Sequence, residues 1–219
     1  MTMYDDKPQE RRALNPFLSV WLHPKQTARY IIDEKSMGYA IFILSIGFIG
    51  SSLSGLIDSD ILMDMPLWLL IVLLLVLGPI IGLISISISA LAIWLFGKLL
   101  KGTATYTQLF KALSLTAIPF ILLIPFYGLW LVTAPDSLMN ISFTGEIPWI
   151  FWPTILVTVV SSIWSFVISV GIVAEAHQFS NWKGFFTLLI PSIVLGILFF
   201  VLVVIIMIIM LIVVSGMML

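Results

Sequence analysis

Five uncharged runs dominate this chain: Ser36–Ile57, Met65–Gly97, Ala112–Pro135, Ile147–Ala174 and Gly184–Leu219. Each supplies the roughly 20 residues that carry a helix across a hydrocarbon core of about 30 Å. Composition agrees, with 61% hydrophobic and 10% charged residues, against roughly 45–50% and 25% in ordinary globular domains. The expected class is therefore an all-α integral membrane protein with five transmembrane helices, over about 37–57, 67–97, 112–134, 148–174 and 184–214. A sixth span competes, because 184–219 is long for one crossing. It is short for two, however, and from Leu195 to Val214 only Gly196 interrupts the apolar side chains. One tilted or protruding helix fits better.

Charge orients these spans. The total is −1, but all ten Lys and Arg lie in three places. Lys7, Arg11, Arg12, Lys25, Arg29 and Lys35 precede the first span, Lys98, Lys101 and Lys111 follow the second, and Lys183 follows the fourth. The other two loops carry Asp58, Asp60 and Asp64, then Asp136 and Glu146. By the positive-inside rule the N-terminus is expected in the cytoplasm and the C-terminus outside. A charged segment as long as 1–35 is not the short basic region of a signal peptide, so the first run is expected to stay as a span. With no cysteine in the chain, thiolate metal sites, a cysteine nucleophile and lipidation on sulfur are excluded.

Before the spans, residues 1–14 read as a mobile polar tail and 15–35 as an amphipathic segment at the membrane interface. Asn15 then Pro16 is a helix start; Pro24 ends that piece and begins another. Trp21, Lys25 and Arg29 stand at this boundary as candidate partner contacts, together with Leu195 and Phe199 on the last span, which has no polar side chain between Ser192 and Ser215. Within the spans, Gly47, Ser51 and Gly55, then Gly78 and Gly82, then Ser161, Ser165 and Ser169, recur every four residues. Such spacing puts small residues on one stripe and lets membrane helices approach closely, so these are the expected packing positions of the domain over 36–219. A solute path lined by the Ser161–Ser169 hydroxyls is the competing reading. Pro119 and Pro125 should break the third span.

Catalytic signatures are missing: no glycine-rich phosphate loop, no HExxH, no GxSxG. No enzymatic activity, cofactor or metal is expected. The spans carry no ionisable acid or base of the kind that marks proton paths. The polar stretch "GIVAEAHQFSNWKGFF", from Gly171 to Phe186, holds Glu175 and His177. Ile147–Ala174 alone makes about 42 Å of helix at 1.5 Å per residue, so "EAH" is expected to be a solvated loop.

That stretch, as "IWSFVISVGIVAEAHQFSNWKGFFTLLIP", resembles the fourth-to-fifth-span signature of the Yip-domain family of membrane proteins. "GKLLKGTATYTQLFKALSLTAIPFIL", with Gly97, Gly102 and Pro119, is similar to the family's second-to-third-span loop. "NPFLSVWLHPKQTARYII" looks like the pre-membrane segment of bacterial members. The resemblance, over roughly 15–200, implies five spans, a cytoplasmic N-terminus and no enzymatic activity. Eukaryotic members bind Rab-type GTPases and usually carry a longer cytosolic N-terminal region. The short segment here favours the bacterial branch, some of whose members accompany ABC-type exporters in the cell membrane. Two functions follow as expectations: a non-enzymatic protein that binds membrane lipids and assembles or regulates an integral membrane complex such as an ABC-type exporter, or a small-solute permease or channel.

Overall fold

The computed structural model describes residues 14–59, 62, 64–140 and 145–217, with side chains as far as Leu211. The polar tail, but for Leu14, therefore lies outside the described residues, as does Asp60. Described elements are helical, with no strand among them. Four helices are long and apolar enough to cross a membrane: α3 (Met37–Ser54), α4 (Leu67–Leu99), α9 (Phe151–His177) and α10, which is apolar over Asn181–Leu211 and runs on to Met217. A bent pair would make a fifth. It consists of Tyr106–Ile121 and Leu123–Thr133, meeting at 42°.

The bend has a local cause. Helix α5 (Tyr106–Leu113) starts from a capping box in which Thr105 and Gln108 satisfy each other's backbone N–H. It tightens into a 3₁₀ turn over Ser114–Ala117, passes through the short α6 (Ile118–Ile121) and restarts as α7 (Leu123–Thr133). Pro119 and Pro125 cannot donate to the carbonyls four residues earlier, so the regular ladder fails on both sides of Leu122. The break falls between the two prolines. Short α8 (Pro135–Met139) closes this arm.

Upstream of the spans lie α1 (Pro16–Ser19) and α2 (Pro24–Glu34). Asn15 Oδ1 caps α1 by accepting the Phe17 N–H at 3.1 Å. Helix α2 buries Thr27, Ala28, Ile31 and Ile32 on one face and packs that face on α9 and α5. Two apolar cores result. One joins Ile31, Ile43, Leu44, Ala90, Leu109, Leu115, Ile168 and Ile172 at the end carrying the basic residues. The other, around Leu123, Tyr127, Trp130, Leu138 and Ile150, lies at the opposite end.

Close approach of α3 to the broken arm is set by glycine. A Cβ on Gly47 would collide with Ala117, and one on Gly50 with the Phe120 carbonyl. The expected 47–51–55 stripe is thus corrected. The contact uses 47 and 50, because the 3₁₀ turn at Ala117 and the short α6 at Phe120 present their backbone across the i, i+3 ridge. Ser51 lines a cleft beside α4 instead, and Gly55 sits at the α3 C-cap, where a Cβ would meet only the Ser52 carbonyl of its own turn. Gly78 receives Ser52 and Gly82 receives the Phe48 ring, which seats α4 on α3.

Candidate functional site at the basic end of the bundle

Helix α9 continues one turn past Ala174 and ends at His177, where Gln178 adopts the left-handed conformation (φ 58°, ψ 42°). The expected solvated loop is therefore helical, and His177 is buried, 1% exposed. The reason is tertiary. The turn after α4 folds over the histidine, and Gly97 and Gly102 clear the space for its ring. A Cβ on Gly97 would overlap Nε2, and one on Gly102 would overlap Nδ1. Neither glycine has positive φ, so both are required by space alone. The ring stacks on Phe179 at 5.2 Å. The His177 carbonyl accepts the Thr103 N–H at 3.3 Å and the Thr103 hydroxyl at 3.4 Å. Both ring nitrogens lack a hydrogen-bond partner among the described protein groups. Here the histidine acts as a wedge that locks the α4–α5 turn to the α9 terminus.

Around this wedge the N-terminal segment is strapped to the bundle. Arg29 donates from Nε at 3.0 Å and Nη2 at 2.6 Å to Glu175 Oε1. Trp21 stacks on Trp164 at 6.5 Å, and Trp164 Nε1 donates to the Trp21 carbonyl at 3.2 Å. Lys111 Nζ donates to the Ile32 carbonyl at 2.6 Å, closing the last turn of α2 with a cation where the helix dipole favours one.

A model of the Yip1 domain matches residues 18–204. The chain belongs to the Yip1 domain family. Comparison with curated proteins and with solved structures finds no match. Yip1-domain proteins are membrane proteins not known as enzymes, and among the described residues of this one no group of His, Asp or Glu is placed to hold a metal ion.

Sequence-derived positions separate into two groups in this Yip1 domain. Trp21 and Arg29, expected as partner contacts, have their side chains engaged within the bundle. Lys25 lines a cleft against α9, and Leu195 and Phe199 lie exposed on α10. Of the serines, Ser161 donates to the Pro119 carbonyl at 3.0 Å and Ser165 to the Thr116 carbonyl at 2.8 Å. These hydroxyls tie α9 to the irregular backbone of the broken arm. Ser169 departs from that role: its hydroxyl returns to Phe166 of its own helix at 2.7 Å. Gly50 and the His177 wedge were not singled out as packing positions. The pairing of two glycines flanking a short turn with a histidine at a helix end was visible in the residues, but not their meeting.

Proposed function

We propose that this Yip1-domain protein is a non-enzymatic scaffold of the cell membrane that binds another integral membrane complex and helps to assemble or regulate it. The observation that carries this reading is α10. None of its spanning window is buried within the bundle, and beyond Pro191 its described side chains are exposed as far as Leu211, Val203 being partly covered. Its 37 residues make about 56 Å at 1.5 Å per residue, well beyond a hydrocarbon core of about 30 Å. The helix contributes little to its own core and presents Leu195 and Phe199 to whatever lies beside it. An ABC-type exporter is the partner class implied by the likeness to bacterial members. The charge pattern supports a cytoplasmic N-terminus and an external C-terminus. The hydroxyls that could have lined a solute path, Ser161 and Ser165, already satisfy backbone carbonyls, which favours a scaffold over a permease.

A photo-crosslinking residue at Phe199, compared with one at Ser165, tests this in membranes. Crosslinks from 199 to an exporter subunit are expected. Crosslinks only from 165, or solute flux in vesicles holding this chain alone, would overturn the scaffold reading.

A further inference from the structure

A cleft of about 490 Å³ opens between the start of α2, the outer face of α9 and the first residue of α10. Its two ends differ in chemistry. Lys25, His23, Gln26 and Asn181 form the polar end, while Phe166, Val167 and Val170 of α9 form an apolar floor. Phe166 and Val167 are about half exposed, 48% and 49%, so the floor is open sideways. Phe166 lies about 16 Å along α9 from His177 at 1.5 Å per residue, so the floor descends from the basic end toward the middle of the span.

The polar end has a cation to offer. At this end of the bundle Arg29 is paired with Glu175, Lys111 with the Ile32 carbonyl and Lys98 with the Thr103 carbonyl. Lys35 lies over the Tyr30 and Tyr39 rings, and Lys183 over Phe179. Lys101 is exposed and lies outside the cleft. Lys25 is the lysine that lines it: its stem passes over α9, with Cγ 3.9 Å from where a Gly171 Cβ would be, and no carboxylate among the described residues pairs with its ammonium. No acidic residue lines the cleft. In the first turn of α2 the Lys25 and Gln26 N–H groups receive no side-chain cap from His23.

We propose that this cleft holds one anionic phospholipid from the leaflet at the basic end, its phosphate against Lys25 and one acyl chain along Phe166, Val167 and Val170. A soluble phosphate would satisfy Lys25 but leave the apolar floor unused. A zwitterionic lipid would use the floor but bring its own cation to the phosphate. An anionic lipid matches both ends. The site is separate from the outer face of α10, so failure of either proposal leaves the other standing.

Native mass spectrometry of the full-length chain in detergent, with equal phosphatidylglycerol and phosphatidylcholine, tests the assignment. Phosphatidylglycerol is expected to be retained preferentially. Lys25→Ala should weaken its retention about fivefold, the effect of one basic residue at an anionic surface. Lys25→Arg should restore it, and Lys101→Ala, at an exposed lysine elsewhere on the same end, should leave it unchanged. Val167→Trp should displace lipid by filling the floor. Equal retention of the two lipids, equal losses from Lys25→Ala and Lys101→Ala, or full displacement by free glycerol phosphate would each overturn the proposal.

Discussion

Replacing Gly97 by alanine measures whether the histidine wedge holds the basic end together. The added methyl would fall on Nε2 and Cε1 of His177, with Cδ2 at 2.9 Å. The ring has no slack, because Gly102 confines its other edge, with Cγ 2.8 Å from a Cβ placed there. Overpacking of this kind costs about 1–3 kcal/mol. Alanine in place of a helical glycine returns up to about 1 kcal/mol. The net expectation is a loss of roughly 0–3 kcal/mol. With His177→Ala already present the collision disappears, and the same Gly97→Ala should stabilise by up to about 1 kcal/mol. The sign therefore reverses, and the four proteins of the cycle should show a coupling of about 1–3 kcal/mol. Equilibrium unfolding in mixed micelles, titrated with a denaturing detergent, reads it out. Gly128→Ala, where a Cβ meets nothing within 4 Å, serves as the control for propensity alone. If Gly97→Ala has the same effect in both backgrounds, the ring does not occupy the space between the glycines and the wedge is refuted.

Other consequences follow from the same contacts. The Arg29–Glu175 pair has side chains 44% and 24% exposed, so Arg29→Ala should cost no more than about 1 kcal/mol and lose its effect in high salt. Exchanging the two residues should recover the loss, as read by thermal unfolding. Gly50→Leu must push against the Phe120 backbone and should cost at least about 3 kcal/mol, whereas Gly55→Ala should stay within about 0.5 kcal/mol; a reversed order would contradict the α3–α6 contact. A reporter active only outside the membrane should work after Leu219 and stay silent after Lys101, and the opposite pattern would invert the proposed orientation.

Residue order along the chain was enough for the apolar helices and for the fracture of the third arm. Length above about 20 uncharged residues and a missing proline N–H are local facts that need no neighbour. The helix start at Asn15–Pro16 is local in the same way. What the tertiary structure alone decided is who touches whom. Counting residues located the edge of the hydrocarbon near Ala174, but His177 is buried by protein, beneath a turn some 75 positions away in the chain, between Gly97 and Gly102. A four-residue stripe on α3 pointed to the right side of the helix, yet Gly47 with Gly50 makes the contact, because a broken partner helix brings bare backbone to that ridge. No spacing along the chain could pair Arg29 with Glu175, 146 residues on. Periodicity gives each helix a face; only packing gives that face a neighbour, and the candidate surfaces of this protein are the faces left over once those neighbours are in place.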